Sequence, residues 1–88
     1  MPESVPLSTT AFAAVLRRQR AESGMSQEAL AEAAGLHVNH VSFLERAMRT
    51  PSLDVVLRLA GGLGVRGVDL VGSTETEMTA HRSRNEAR

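Results

Sequence analysis

Only a few residues of this chain have the types and spacing that catalysis or ligand binding requires. His37 and His40 stand three positions apart, which suits a metal ion on one helix face, but no third ligand of the right kind lies close by. Gly62, Gly64 and Gly67 spell G-x-G-x-x-G, yet a dinucleotide site needs that motif to follow a strand within a βαβ unit. No serine or aspartate stands in a recognisable arrangement of nucleophile, base and orienting group. We therefore expect no enzyme activity, no cofactor and no bound metal.

Composition limits the class of protein and indicates its cellular compartment. The 88 residues allow one domain, and a hydrophobic content of 42% is globular rather than disordered. Cysteine is absent, which excludes disulfides and thiolate zinc sites and fits a reducing cytoplasm. No apolar run approaches the roughly 20 residues of a membrane span, and residues 1–8 lack the features of a signal peptide. We expect a cytoplasmic protein without membrane contact.

Charge alone does not indicate a partner. The formal net charge is +0 at pH 7, and all ten basic residues are arginine. Residues 25–45 carry three acidic residues and no basic one, whereas residues 46–72 carry four arginines against two aspartates. The planar fork of arginine suits phosphates and guanine edges, but a count of arginines does not establish nucleic-acid binding.

The elements that position these residues are predicted to be helices. Apolar residues recur with helical spacing, and no segment alternates with period two, which predicts an all-α fold of four or five short helices. The expected capping and terminating residues are Ser8, Thr9 or Thr10, Gly24, Ser26, Gly35, Ser52 and Gly64. The expected helices span about residues 9–22, 26–35, 36–46, 52–64 and 65–71.

Apolar spacing also predicts which side chains are buried. In the third helix Val41, Leu44 and Met48 share one face. The inward residues expected in the fourth helix are Leu53, Val56, Leu57 and Ala60. The chain is expected to comprise a flexible arm, a helical domain and a polar, frayed tail with almost no apolar content, at residues 1–8, 9–72 and 73–88.

The most informative segment is a helical hairpin centred on Gly35. Ala31 stands four positions before this glycine, and Val41 and Leu44 follow it by six and nine positions. The small Ala31 allows the second and third helices to approach closely, and Gly35 allows the positive φ of a tight turn. This spacing fits both an ordinary helical hairpin and a DNA-binding helix-turn-helix, and does not decide between them.

Several motifs in order resemble the Cro and phage-repressor (Xre-type) family of helix-turn-helix transcription regulators. They are Arg17–Arg20, GMSQEALAEAAGL, FLER and PSLDVVLRLAGGLGV, within a stretch from about Phe12 to Leu70. The resemblance implies a five-helix lambda-repressor-like domain whose third helix enters the major groove of a double-stranded DNA operator. The chain length is also similar to that of restriction–modification controller proteins and single-domain phage repressors.

The resemblance implies a role for each matching position. The base-reading positions are Gln27, His37, Val38, Asn39, Ser42 and Phe43. The phosphate-binding positions are Arg17, Arg18, Ser26, Arg46 and Arg49. Arg20 and Glu45 match a buried ion pair between the first and third helices. Among the base-reading positions, Asn39 is expected to pair with adenine through a bidentate amide contact.

The chain departs from the family pattern at three places. Ala47 stands where the family often has glycine, and Gln19 replaces a frequent core leucine. The base-reading set includes Val38 and Phe43 and contains no arginine, so the common arginine–guanine contact is missing from the middle of the helix. Operator preference is therefore expected to differ from the usual one.

A homodimer is expected through the region of the fourth and fifth helices. The resemblance places the contact there, and a short last helix could not bury all of its apolar side chains within its own domain. The expected interface residues are Leu63, Val65, Val68, Leu70 and Val71.

Three functions fit these features. The first is a dimeric transcription regulator on a palindromic operator, with RNA polymerase as a further partner if it activates. The second is an antitoxin that regulates its own operon and whose tail, residues 73–88, folds on a toxin. The third is a protein-interaction module that keeps the fold without binding DNA, which the acidic segment 25–45 favours and Asn39 and Arg46 oppose.

Overall fold

Serine caps and glycine turns divide the chain into five α-helices. In the computed structural model, which describes residues 5–86, no strand is present. The helices are α1 (Leu7–Glu22), α2 (Gln27–Ala34), α3 (Val38–Glu45), α4 (Leu53–Leu63) and α5 (Gly67–Glu86). The predicted all-α, five-helix fold is confirmed.

The second and fourth helices begin and end at the predicted residues. The Oγ of Ser26 accepts a hydrogen bond from the backbone N–H of Ala29 at 3.0 Å, and the Oγ of Ser52 accepts one from Val55 at 3.1 Å. Gly35 and Gly64 end α2 and α4 with φ of 70° and 75°. Each serine satisfies a backbone donor that the helix leaves unpaired, and each glycine adopts the left-handed conformation that a Cβ disfavours.

The first helix begins earlier than the sequence predicts. Pro6 is its N-cap residue and makes no side-chain cap, so Leu7 and Ser8 belong to α1 rather than to an arm. Thr9 caps nothing because its side chain points inward, where its Oγ1 lies 2.7 Å from the Oγ1 of Thr50. The rest of the expected arm is Val5 and Pro6, together with residues 1–4, which lie outside the described residues.

The core is mostly aliphatic, includes Phe12, and is contributed by all five helices. α1 packs against α3 and α5, while α2 packs against α3 and α4. The large side chains that are fully buried are Val15, Leu16, Leu30, Val41, Leu44, Leu59 and Leu70.

Three apolar side chains that were expected inside are exposed. Met48, Leu53 and Leu57 are 60%, 70% and 52% exposed. Met48 follows the end of α3, beyond Ala47 with its positive φ of 57°, and so leaves the face of that helix. The buried stripe of α4 is centred on Val56, Leu59 and Ala60, so Leu53 and Leu57 lie roughly 70° and 110° around the helix from its middle.

The last helix is far longer than expected. The sequence predicts a short fifth helix and a frayed tail from residue 73, but residues 73–86 continue α5 without a break. They pack along α1, where the Nε2 of Gln19 lies 3.4 Å from the Oγ of Ser73 and the Nη1 of Arg18 lies 3.4 Å from Glu77 Oε1. Thr74 is buried, and its Oγ1 donates within α5 to the carbonyl of Leu70. Apolar spacing could not reveal a helix held in this way.

Candidate nucleic-acid interface

A tight turn at Gly35 sets α3 against α2. The backbone N–H of Leu36 donates to the carbonyl of Ala31 at 2.8 Å, and that of Gly35 donates to Glu32 at 3.2 Å. These bonds satisfy carbonyls at the end of α2 and turn the chain within three residues. Ala31 is buried at the crossing, as its size predicts.

The first turn of α3 is capped by an imidazole. The Nδ1 of His37 accepts a hydrogen bond from the backbone N–H of Asn39 at 3.0 Å. A neutral ring that accepts at Nδ1 carries its proton on Nε2, so the exposed edge of His37 is a hydrogen-bond donor. The predicted start of the helix at residue 36 is therefore early by two residues, because His37 is the cap and Val38 the first helical residue.

One face of α3 presents polar groups to solvent. Asn39 is exposed, and Ser42 and Phe43 are half-buried. Val41 and Leu44, on the opposite face, are fully buried. These three solvent-facing side chains are what α3 can present to a partner.

Val38 contributes less to that surface than the sequence suggests. Its side chain is half-buried and packs against the hydrophobic core. Only part of it is available for an apolar contact with a ligand.

The ring of Phe43 contacts the guanidinium groups of two arginines. The guanidinium carbons of Arg46 and Arg49 lie 5.3 and 5.2 Å from the centre of its ring, which is cation–π distance. Sequence analysis placed Phe43 only as a base-reading residue and missed these contacts. The i, i+3 spacing of Phe43 and Arg46 on one helix was a signal for one of them.

A buried carboxylate ties α3 to α1 and α2. The Oε2 of Glu45 lies 2.5 Å from the Nε of Arg20, and its Oε1 accepts hydrogen bonds at 3.0 Å from Arg20 Nη2 and from Gln27 Nε2. Arg20 also donates to the carbonyl of Met25 at 2.9 Å. The hydrogen bond to Glu45 raises the pKa of Arg20, against the opposing effect of burial. Arg20 and Glu45 thus form the ion pair that the family resemblance implies.

The network limits what Gln27 can offer a ligand. Because one N–H of its Nε2 is engaged with Glu45, the groups left to Gln27 at the start of α2 are one N–H donor and the Oε1 acceptor. Beside it, the Oγ of Ser26 is engaged as the helix cap.

The remaining arginines of the predicted set lie in two places. Arg17 donates to the backbone carbonyl of Glu45, and Arg46 donates from its Nε to the carbonyl of Ser42 at 3.4 Å, so both stand at the end of α3. Arg18 instead faces α5, where its Nη1 lies 3.4 Å from Glu77 Oε1.

Only some of the residues predicted for the dimer interface are exposed. Leu70 is fully buried in the core of its own domain, because α5 uses that position to pack against the other helices. Leu63 and Val65 are half-buried against the same core. Val68 and Val71 remain available, with 63% and 42% exposed.

Leu57 joins this surface although sequence analysis counted it as core. Its Cδ2 lies only 2.5 Å from where a Cβ would stand on Gly67, so the glycine allows α4 and α5 to approach there. We call the exposed residues Leu53, Leu57, Val68 and Val71 the apolar face of α4 and α5.

Metal clusters and membrane-spanning helices were searched for among the described residues. Residues 5–86 contain no group of three or more histidine, aspartate or glutamate side chains placed to hold a metal ion. None of their helices combines the length and hydropathy needed to cross a bilayer.

Comparison with known proteins identifies the family of this chain. The family profile described as "Helix-turn-helix" matches residues 16–70, more than half of the chain. The chain is 38% identical over 58 residues to an uncharacterized HTH-type transcriptional regulator, y4dJ, of Sinorhizobium fredii, covering 66% of this chain and 75% of that protein.

Two solved structures show the same fold. The clp gene regulator ClgR from Corynebacterium glutamicum superposes with a TM-score of 0.86 at 26% identity, over 96% of this chain and 89% of that one. The restriction-modification controller protein C.AhdI from Aeromonas hydrophila superposes with a TM-score of 0.68 at 37% identity, over 70% of this chain and 94% of that one. This chain belongs to the Xre-type helix-turn-helix family of transcription regulators.

Proposed function

We propose that this protein is a sequence-specific DNA-binding regulator that places α3 in the major groove as a homodimer. The observation that carries this proposal is the exposed, hydrogen-bonding face of α3, held rigidly by the buried Glu45 network behind it. An α-helix fits the major groove, where each base pair presents a distinct pattern of donors and acceptors. Asn39 supplies the side chain best suited to read that pattern.

Phosphate contacts surround this face in the proposed complex. Arg46 and Arg49, held over the ring of Phe43, and Arg17 beside them supply cations at the end of α3. The start of α2 at Ser26 supplies backbone N–H groups and the positive end of a helix dipole. Such contacts fix the position of the protein on the duplex and carry no sequence information.

The dimer in this proposal forms through the apolar face of α4 and α5. Leu53, Leu57, Val68 and Val71 expose apolar surface that a monomer leaves in water. A two-fold axis there would set the two copies of α3 about 34 Å apart, one turn of DNA. Val68→Asp should give monomers in sedimentation at tens of micromolar. A wild-type protein that is monomeric with and without DNA would remove the dimer from the proposal.

The antitoxin alternative loses its main support. It requires residues 73–88 to be an unfolded segment that folds on a toxin, whereas residues 73–86 form a helix that already packs on α1. RNA polymerase is a partner in this proposal only if the regulator activates transcription.

A binding selection on randomised half-sites tests the proposal. We expect A·T pairs beneath α3, because Asn39 can make a bidentate contact with adenine and Phe43 can touch a thymine methyl group. Asn39→Ala should cost about 1–3 kcal/mol on the selected site and relax the preference at one base pair. The same variant on scrambled DNA is the control and should bind as the wild type does. Identical consensus sequences for the two proteins would show that Asn39 does not read a base.

A further inference from the structure

The second half of α5 contributes charged side chains to a cavity. Only some of the residues that line this cavity belong to the DNA contacts proposed above. The cavity has a volume of about 230 Å³ and lies between α1, the end of α3 and α5. Arg17 and Arg46 line it from α1 and from the end of α3, and His81 and Arg84 line it from α5. The small side chains of Ala11 and Ala14 form part of its wall and leave the space open.

Positive charge is concentrated here in a chain whose formal net charge is +0. Three arginines line the cavity against a single carboxylate, Glu77, so the lining carries two net positive charges before His81 is counted. Arg84 is 61% exposed, and its Nη2 lies 3.4 Å from Glu77 Oε2, while Glu77 also lies 3.4 Å from Arg18. Glu77 therefore holds arginines at this site and also opposes an anion that enters it.

Most donors of these arginines are directed to no protein acceptor. A guanidinium has five N–H donors. Arg17 donates to the carbonyl of Glu45, Arg46 donates to the carbonyl of Ser42, and Arg84 contacts Glu77. The remaining donors, on side chains that converge from three elements, match the several acceptor oxygens of one tetrahedral anion. A volume of about 230 Å³ exceeds the roughly 30 Å³ share of one water several-fold, so such an anion fits.

We propose that this cavity is a phosphate-binding site and that in the DNA complex it receives a backbone phosphate. The proposal rests on the proposed function and extends it, because it makes α5 a DNA-contacting element together with α2 and α3. Its location supports the DNA source of the phosphate: Arg46 lines the cavity and also stacks on Phe43 in the surface proposed to face the duplex. His81 and Arg84 extend that surface along α1.

The first test compares two arginines of the same helix. Arg84→Gln removes a lining cation, whereas Arg82→Gln removes one that lines only the adjoining depression, which shares Leu7, Thr10 and His81 with the cavity. The slope of log K against log salt should become shallower by about 0.9 per half-site for Arg84→Gln and should stay at the wild-type value for Arg82→Gln. The loss should be equal on selected and scrambled DNA, because a phosphate carries no sequence. Equal slopes for the two variants would overturn the site.

The second test separates anion binding from a structural role of the ion pair. If Arg84 acted only by pairing with Glu77, then Glu77→Gln would weaken DNA binding as Arg84→Gln does. A phosphate site predicts the opposite sign, because Glu77→Gln removes the one carboxylate in the lining. Tighter binding by Glu77→Gln supports the site, and weaker binding overturns it; far-UV circular dichroism checks that each variant keeps its helices.

A third measurement distinguishes failure of this site from failure of the proposed function. If the wild type bound no DNA, the proposed function would fail, and titration with inorganic phosphate at constant pH and ionic strength would then decide about the site. Shifts of the His81 ring resonances in the wild type, absent in Arg84→Gln, would support a site for free phosphate. Unchanged resonances would overturn it.

Discussion

α3 and the second half of α5 both pack against α1 and both carry polar side chains, but different interactions hold them. α3 buries Val41 and Leu44 completely and fastens its end through Glu45, whose side chain is 3% exposed. The second half of α5 is attached through Glu77 and its partners Arg18 and Arg84, whose side chains are 21%, 48% and 61% exposed. Water competes for the second set of contacts and hardly for the first.

This difference matches the two roles that we propose. A helix that discriminates between bases must present its donors and acceptors in one geometry, which a buried, fully hydrogen-bonded support provides. A helix that touches only phosphates can tolerate adjustment, because a phosphate is recognised by charge and carries no base pattern. We therefore expect the two helices to respond very differently to loss of a supporting contact.

The largest effect, on the free energy of unfolding, is expected when the Glu45 network that holds α3 is broken. Glu45→Ala leaves Arg20 charged at the helix junction and Gln27 without its acceptor. Loss of one partner of a buried pair costs about 3–5 kcal/mol, and we expect the lower end because the Arg20 side chain is 21% exposed and can reach water. Urea denaturation measures the free energy of unfolding. Glu32→Ala, an exposed change on α2, is the control and should stay within about 0.5 kcal/mol of the wild type.

The same pair should be insensitive to alkaline pH. Its hydrogen bond to Glu45 raises the pKa of Arg20, so the stabilisation is present below the ordinary arginine range and is lost only as the pH rises through the still higher value in the folded protein. The stability difference between wild type and Glu45→Ala should therefore not change between neutral pH and about pH 10, well below the usual arginine pKa. A difference that disappears over this range would show that another group carries it.

The contrast between the helices also explains what the sequence could predict. Local rules were enough where a residue acts within its own helix or turn. Ser26 and Ser52 cap helices, Gly35 and Gly64 end them, and Val41 and Leu44 follow the helical period. Family resemblance added Arg20 and Glu45, a contact between residues 25 positions apart that no local pattern contains.

The missed features depend on tertiary packing. The helical period of α4 was predicted correctly, but the face of the helix that is buried was not. Only the packing of α4 on α2 shows that Leu59 is buried and Leu57 exposed. The continuation of α5 was missed because Ser73 and Glu77 contact α1 through a hydrogen bond and an ion pair, which leave no apolar period in the sequence.

An intermediate effect, on DNA affinity, is expected at Phe43, which lies close to the Glu45 network but on the outer face of α3. Phe43→Leu keeps an apolar side chain but removes the ring under Arg46 and Arg49, and cation–π contacts at exposed sites contribute about 0.5–1 kcal/mol each. The ring positions both guanidinium groups before DNA binds, so we expect a loss of DNA affinity of up to roughly fivefold to thirtyfold. The loss should be equal on selected and scrambled sites, because leucine can still touch a thymine methyl group. A loss confined to sites with thymine at one position would show that the ring acts through the thymine methyl group and not through the two arginines.

A smaller effect is expected at the start of α2, where one hydrogen bond is removed and no charge is left buried. Ser26→Ala removes the cap to the backbone N–H of Ala29, which should cost about 1 kcal/mol of unfolding free energy. Ser26→Asp should recover it, because a carboxylate also accepts that bond and interacts well with the helix dipole. DNA binding separates the two variants: a carboxylate repels phosphate, so the aspartate variant should bind more weakly than the alanine variant. Equal binding would place Ser26 away from the DNA backbone.

The smallest effect is expected where α5 meets α1 through exposed charges. Arg18→Gln removes a contact of 3.4 Å between side chains that are 48% and 21% exposed, and such pairs contribute about 0–1 kcal/mol. Global stability should therefore barely change, but native-state hydrogen exchange should show faster opening of the α5 amides after Thr74, with the amides of α3 unaffected. High salt should reproduce that local effect in the wild type, because salt screens exposed pairs far more than the buried pair of Glu45. If α5 and α3 instead opened together in both experiments, the two helices would form one cooperative unit, and the contrast between a rigid reading helix and an adaptable phosphate-binding helix would not hold.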